Sequence, residues 1–282
     1  MIKVESRLPV LRGGEASRPC CMSFDPRFAR DTMLPLAAAA DAVFDTPGAE
    51  PALPNGYHKT ALLNADVAVA AAIADLPESA RALVGTVVGA GSVFGLIGNN
   101  LDPSVKTAFV AFRGTRTASD WLDNFDAAAD AYRPVANFGD VHMGWMALYE
   151  TIRNSLASNL AAACAGCNQL LVTGHSLGAA LAVLAAPDIF KNMPPNLEPK
   201  LTTFAGPRAG LHDFAVPFNM TIESCFRVVN ELDVIPHIPL PFPWLPYEHV
   251  GVEIAVDSGG PIDQAYRHSL AAYRSGLDKL IT

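Results

Sequence analysis

The chain has 282 residues, of which 50% are hydrophobic and 17% are charged. This composition excludes a largely disordered protein. The formal net charge of −8 leaves no excess of basic residues to neutralise phosphates, so we expect no nucleic-acid partner. Because an acidic chain is not attracted to anionic lipids, any contact with a lipid surface must depend on apolar side chains.

The cysteines predict free thiols rather than a disulfide framework, because their number is odd and the chain is long. They are Cys20, Cys21, Cys164, Cys167 and Cys225. The pair at 164 and 167 has C-x-x-C spacing, but no second pair and no nearby histidine pair completes a tetrahedral ligand set. We therefore expect neither a metal site nor a redox site.

Residues 1–90 are expected to form an N-terminal extension, and residues 91–282 the core of a single domain. Two helices are predicted in the extension, at 25–42 and 64–74. The N-terminal residues do not contain the continuous apolar segment that a secretory signal requires. This predicts a cytoplasmic or already processed secreted form. Residues 82–101 carry no charge and are long enough to span a bilayer, but their five glycines favour strands and turns. We therefore expect no integral membrane segment.

From about Val93, short apolar segments alternate with amphipathic ones. Residues 93–98 and 107–112 predict an antiparallel pair across a turn-rich segment. The elements that follow are a helix at 144–163, a strand at 169–173, a helix at 177–190, strands at 201–204, 224–230 and 250–256, and a helix at 264–280. This alternation predicts an α/β fold with a mostly parallel central sheet and helices on both faces, whose functional residues lie at the carboxyl ends of the strands.

A G-x-S-x-G motif lies between a predicted buried strand and an apolar helix, with Ser176 at its centre. A serine on such a sharp strand-to-helix turn is exposed above the sheet, and the flanking glycines remove side chains that would collide. The helix that begins at Leu177 directs N–H groups at an oxyanion beside the serine. Ser176 is therefore the predicted nucleophile and Leu177 an oxyanion donor, with a simple helix N-cap serine as the alternative.

A nucleophilic serine needs a base and an orienting carboxylate, which follow it along the chain in this arrangement. Asp233, directly after an apolar strand, is the predicted acid, and Glu231 is the alternative. His268, at the start of the last helix, is the predicted base, and His249 is the alternative. His237 lies in a proline-rich turn, and its side chain is expected to make a local hydrogen bond to the backbone.

A second oxyanion donor is expected after an earlier strand. Thr115 follows the apolar segment that ends at Phe112, and it offers both an N–H and a hydroxyl group. The alternative is an ordinary turn residue.

Six motifs resemble, in their order, those of the class 3 (fungal-type) lipases of the α/β-hydrolase fold. They are FRGT (112–115), VHMGW (141–145), GHSLGAA (174–180), FAGPR (204–208), VNELDVIPH (229–237) and the late His268. The resemblance implies that Ser176, Asp233 and His268 form a catalytic triad and that Thr115 and Leu177 bind the oxyanion. It also implies that His142 and His175 lie beside the site.

Two apolar segments are candidates for contact with substrate. In the family, a lid follows the oxyanion residue, and here that segment is 117–125. On its own it predicts a short helix with one apolar face. The proline-rich segment 238–247 is the second. The apolar side chains are Trp121, Leu122 and Phe125 in the first segment and Phe242 and Trp244 in the second. The alternative is that both segments pack on the body of the protein.

The motifs and the resemblance together imply a carboxylic ester hydrolase, most specifically a lipase that cleaves acylglycerols through an acyl-enzyme. Such chemistry needs no metal and no organic cofactor. The expected partners are a lipid or small ester substrate and, transiently, a lipid interface. Alternatives are a phospholipase A1, an aryl or feruloyl esterase, and a non-catalytic lipid-binding protein of the same fold.

Overall fold

The computed structural model describes residues 23–46, 48–66, 77–89, 93–115 and 127–281. Its strands are β1 (His58–Asn64), β2 (Val93–Asn100), β3 (Thr107–Phe112), β4 (Ala129–Ala131), β5 (Asp140–His142), β6 (Gln169–His175), β7 (Pro199–Phe204), β8 (Gly210–Leu211), β9 (Cys225–Asn230), β10 (Tyr247–Glu248) and β11 (Val252–Val256). Its helices are α1 (Pro26–Phe28), α2 (Leu34–Asp45), α3 (Glu78–Gly89), α4 (Met143–Ala163), α5 (Leu177–Asn192), α6 (His212–Thr221), α7 (Gln264–Arg267) and α8 (Leu270–Ile281). A π-helical turn at Ala29–Met33 joins α1 to α2, and a 3-10 turn covers Ile235–His237.

A seven-stranded sheet has the order β1-β2-β3-β6-β7-β9-β11. The neighbours from β3 to β11 are parallel, whereas β1, β2 and β3 are antiparallel to one another. The antiparallel pair predicted from 93–98 and 107–112 is thereby confirmed, with Gly95 opposite Phe112. Because parallel strands end at the same edge, the residues after β3, β6 and β9 come close together.

The central strand β3 explains why helices cover both faces of the sheet. All six of its residues are buried, and successive side chains of a strand point to opposite faces. Val110 and Phe112 pack in the core that includes residues of α3, α4 and α5, whereas Phe109 and Ala111 pack in the core that includes residues of α2 and α8. The predicted α/β architecture with helices on both faces is confirmed.

The last helix differs from its prediction. A single helix was expected over 264–280, but the structure has α7 and α8 separated by His268 and Ser269. The Ser269 hydroxyl accepts a hydrogen bond from Ala272 N–H at 3.2 Å, which is the contact that begins a new helix. The prediction is wrong here because a capping serine interrupts an apolar pattern that otherwise continues.

Two further differences concern the N-terminal half. Residues 82–89 lie in α3, not in strands and turns as predicted, because Val84 and Val87 share one core-facing side of a helix. The helix predicted at 64–74 does not begin at Asn64, which ends β1, and 67–74 lies outside the described residues.

The helix predicted at 25–42 is confirmed by α1, the π-helical turn and α2. Across the described ranges, no helix is both long and apolar enough to cross a membrane.

The described cysteines, Cys164, Cys167 and Cys225, are free thiols. Burial raises the pKa of Cys164 to about 11 and that of Cys225 to about 12, so neither thiol is a ready nucleophile. Among the residues with described positions, no group of three His, Cys, Asp or Glu side chains is placed to hold a metal ion. Cys20 and Cys21 lie outside them.

Two helical glycines give opposite predictions for substitution by alanine. A Cβ on Gly178, at the start of α5, would lie 2.2 Å from the Phe112 carbonyl oxygen, whereas a Cβ on Gly85, in α3, would meet nothing within 4 Å. Gly178→Ala should therefore lower the free energy of unfolding by about 1–3 kcal/mol through overpacking. Gly85→Ala should raise it by about 0.5–1 kcal/mol through helix propensity. Urea unfolding measures both values, and equal midpoints for the two variants would contradict this packing.

Candidate active site

Ser176 occupies a strained turn between β6 and α5. Its backbone has φ of +56° and ψ of −126°, which costs on the order of 1–3 kcal/mol for a residue with a side chain. A Cβ on Gly174 would lie 2.2 Å from the Gly178 carbonyl oxygen, so this turn requires glycines on both sides of the serine. The turn holds Ser176 at the carboxyl edge of the parallel strands.

A hydrogen-bonded relay links Ser176, His268 and Asp233. His268 Nε2 lies 2.8 Å from Ser176 Oγ, and His268 Nδ1 lies 2.9 Å and 3.1 Å from the two Asp233 carboxylate oxygens. A carboxylate only accepts hydrogen bonds, so Nδ1 carries the proton and Nε2 is free to accept the serine proton. The structure thus brings together the three residues that the sequence predicts as nucleophile, base and acid.

The Asp233 carboxylate is fully buried, and neutral donors hold it in place. Tyr273 donates its hydroxyl proton to Oδ2 at 2.7 Å, and the Ile235 N–H donates to Oδ1 at 3.1 Å. Burial and the adjacent carboxylate raise the pKa of Tyr273 well above its usual value, so this phenol remains a donor. Tyr273 was not predicted as a site residue, since an apolar-facing tyrosine in a helix gives no local signal.

The alternative acid and base lie elsewhere. Glu231 is exposed at the end of β9. His249 Nε2 lies 2.7 Å from the Pro236 carbonyl oxygen, to which it donates, and burial lowers its pKa to about 3. His237 donates its backbone N–H, rather than its side chain, to the Val234 carbonyl oxygen within the 3-10 turn.

The segment Gly114–Thr115, which we call the oxyanion turn because it holds a predicted oxyanion donor, packs against Ser176. A Cβ on Gly114 would lie 3.4 Å from Ser176 Cβ and 3.1 Å from the His175 carbonyl oxygen. Thr115 directly follows that glycine, and Leu177 is the first residue of α5, where N–H groups lack intrahelical acceptors. The two predicted oxyanion donors therefore belong to backbone segments that flank Ser176.

The side chain of Arg113 binds the backbone of the oxyanion turn. Its side chain is almost fully buried and donates to the carbonyl oxygens of Val93, Val87 and Gly114 at 2.7, 3.0 and 3.0 Å. Its guanidinium lies 3.7 Å from the centre of the Phe44 ring. Sequence reasoning did not single out Arg113, although it stands within the FRGT motif.

His175 and Asp41 each bind a backbone group of the site. His175 Nε2 donates to the His268 carbonyl oxygen at 2.7 Å, and burial lowers the pKa of His175 to about 3. Asp41, on α2, accepts a hydrogen bond from Gly114 N–H at 2.8 Å. Its side chain keeps 31% of its surface exposed, but its carboxyl end lies among protein groups, and desolvation raises its pKa to about 6. Sequence reasoning missed Asp41, which follows an alanine run without any motif.

The side chain of His142 contacts the first turn of α4. It precedes α4, its Nδ1 accepts a hydrogen bond from Trp145 N–H at 3.2 Å, and its ring stacks on the indole at 4.5 Å. His142 therefore caps this helix.

Exposed aromatic side chains lie at the tip of the proline-rich segment. The rings of Phe242 and Trp244 stack at 5.4 Å with an interplanar angle of 11°, and 43% and 79% of their surfaces are exposed. Backbone hydrogen bonds between Phe242 and Leu245 close the turn, and Arg208 Nη1 binds the Pro239 carbonyl oxygen at 2.9 Å. Trp244 thus does not pack on the body of the protein. The other predicted contact residues, Trp121, Leu122 and Phe125, lie outside the described residues.

Comparison with known proteins finds similarity to lipases. The sequence model described as lipase (class 3) matches residues 109–242. The chain is 34% identical to the lipase of Rhizopus niveus over 162 residues. This alignment covers 55% of this chain and 40% of the Rhizopus niveus lipase. The chain is also 31% identical to phospholipase A1-II 6 of Oryza sativa subsp. japonica over 207 residues. This second alignment covers 60% of this chain and 49% of the phospholipase. The chain thus spans about half the length of the curated relatives it matches.

The solved structure of the Rhizomucor miehei triacylglyceride lipase superposes with a TM-score of 0.50 at 28% identity, covering 58% of this chain and 60% of that one. The chain has the α/β-hydrolase fold, and its residues 109–242 are similar to the class 3 lipase family.

Proposed function

We propose that the protein is a serine-dependent carboxylic ester hydrolase that cleaves acylglycerols. The observation that carries the proposal is the relay from Ser176 Oγ through the His268 ring to the buried Asp233. The match of residues 109–242 to the sequence model described as lipase (class 3) supports it.

The geometry supports an acyl-enzyme mechanism. Ser176 Oγ attacks the ester carbonyl carbon while His268 Nε2 takes the hydroxyl proton. The negative oxygen of the tetrahedral intermediate accepts hydrogen bonds from Leu177 and Thr115. The imidazolium then protonates the leaving alkoxide, and a water molecule repeats the sequence to release the fatty acid. Asp233 holds the imidazole in the required tautomer throughout.

The nucleophile is tested by Ser176→Ala. We expect the variant to fold and kcat to fall by about 10⁴- to 10⁶-fold, because the covalent step is lost. A fluorophosphonate probe should label Ser176 in the wild type, as located by peptide mass spectrometry, and should leave the variant unlabelled. Ser158→Ala, which removes an exposed helical serine, is the matched control. Normal turnover by folded Ser176→Ala would refute the mechanism.

The two histidines are separated by parallel substitutions. His268→Ala should lower kcat as far as Ser176→Ala, and the double variant should lose little more, because residues that act as a unit are not additive. His249→Ala should keep most of the turnover, since its Nε2 is bound to a backbone carbonyl oxygen. Steady-state kinetics on a soluble p-nitrophenyl ester measure all three. The reverse ranking would assign the base to His249.

Phospholipase A1 activity at the same site is the second candidate, because the chain is 31% identical to a rice phospholipase A1. Release of fatty acid from diacylglycerol and from phosphatidylcholine, compared in the same mixed micelles, distinguishes the two. Faster cleavage of phosphatidylcholine would favour the second candidate.

The stacked Phe242 and Trp244 are the proposed contact with a lipid interface, together with Trp121, Leu122 and Phe125 of the predicted lid. With a net charge of −8, adsorption must come from apolar area, and each large side chain contributes about 1.5–3 kcal/mol when fully buried. The exposed stack offers this area without loss of packing in the core.

Interface contact is tested with Trp244→Ser. We expect adsorption to an emulsified ester to weaken by about 10-fold or more, with turnover of a soluble short-chain ester nearly unchanged. Leu101→Ser serves as the control, because it removes a side chain that is 56% exposed. Leu101 follows β2 and lies beside the start of β3, which places it at the edge of the sheet opposite the site. Equal loss on soluble and emulsified substrates would contradict an interfacial role.

A further inference from the structure

The carboxyl group of Asp41 lies where two backbone segments of the site meet. Its Oδ1 accepts the Gly114 N–H at 2.8 Å, and its Oδ2 lies 3.8 Å from His175 Nδ1. Gly114 directly precedes Thr115, and His175 directly precedes Ser176. One side chain of α2 therefore reaches both the oxyanion turn and the turn of the nucleophile.

The hydrogen bonds of His175 define what it presents to Asp41. Its Nε2 lies 2.7 Å from the His268 carbonyl oxygen, which only accepts, so Nε2 carries the ring proton. Because the pKa of His175 is lowered to about 3, the ring is neutral and Nδ1 presents a lone pair. A neutral carboxyl group can donate to that lone pair, whereas a carboxylate opposes it with a second acceptor.

The charges around Asp41 act in opposite directions. The Arg113 guanidinium and His268 favour the carboxylate, whereas Asp45 on the same helix disfavours it. The neutral ring of His175 faces the same carboxyl group. Desolvation outweighs these charges and gives the raised pKa of Asp41.

We propose that Asp41 is a positioning residue that holds the oxyanion turn against Ser176 through the Gly114 N–H. The inference rests on the proposed esterase function, in which Thr115 and Leu177 must reach the same oxyanion from two backbone segments. Displacement of one segment by about 1 Å separates the donors and costs up to about 100-fold in rate. Asp41 itself does not contact the reacting atoms.

The test compares Asp41→Leu, which removes the acceptor at similar volume, with Asp41→Asn, which keeps it. Asp45→Leu, one turn further along α2, is the control. We measure kcat and KM on a soluble p-nitrophenyl ester, with active sites counted by complete fluorophosphonate labelling so that unfolded protein does not contribute. The inhibition constant of a boronic acid, which forms a tetrahedral adduct on the serine, reports on the oxyanion site directly.

Asp41→Leu should lower kcat per active site by about 10- to 100-fold and raise the boronic acid inhibition constant by a similar factor, with KM nearly unchanged. Asp41→Asn should recover most of this loss, because its amide oxygen accepts from Gly114 and its amide N–H points at the His175 lone pair. Asp45→Leu removes a neighbouring like charge but not the acceptor of the Gly114 N–H, so kcat per active site and the boronic acid inhibition constant should stay within about 2-fold of the wild type.

Three results would overturn the inference: a wild-type kcat in Asp41→Leu, a change in KM alone, or an Asp41→Asn variant as impaired as Asp41→Leu. Failure of the proposed function looks different. In that case the wild type itself neither hydrolyses esters nor is labelled at Ser176, and the inference falls with it. An active, labelled wild type with an unaffected Asp41→Leu refutes only the role of Asp41.

Discussion

The close approach of two backbone segments at Ser176 is the constraint on which the site depends. The end of β3 contacts the first turn of α5 so closely that Gly178 has no room for a Cβ, and a Cβ on Gly114 would lie 3.4 Å from the Ser176 Cβ. The residues after β3 and the first residues of α5 therefore both lie against Ser176. The strain at Ser176 is tolerated because α5 is buried along most of its length and holds the turn in place.

Charge burial explains the different roles of two fully buried carboxylates. Asp188 pairs with Arg153 at 2.6 Å, a permanent cation that neutralises it. Asp233 is held by a phenol, a backbone N–H and the His268 Nδ1–H. Hydrogen bonds, rather than a permanent cation, therefore offset the cost of burying this carboxylate. In the proposed mechanism, the carboxylate stabilises the imidazolium that forms when His268 takes the serine proton.

The parts of the structure that local patterns determine could be predicted from the sequence. The strands β3, β6 and β9 carry short apolar runs, and the turn at Ser176 requires its two glycines, so both leave a signal in adjacent residues. Asp41 leaves none, because its partner Gly114 is 73 residues away and only the folded chain brings them together. The break at Ser269 was missed for a different reason, since an apolar helical pattern runs across the capping residue. The sheet of β4, β5, β8 and β10 consists of strands of two or three residues, which are too short for an alternating pattern.

The Phe242–Trp244 stack has a consequence for how the proposed reaction proceeds over time. In the proposed interfacial role, neutral aromatic rings bind an uncharged ester surface, but each turn of the proposed reaction releases a fatty-acid carboxylate into that surface. A chain with a net charge of −8 is then repelled by its own product. Adsorption weakens as product accumulates, and dissolved salt or removal of the fatty acid restores it. On this basis, the proposed hydrolysis at a lipid surface slows through surface charge before the substrate is exhausted.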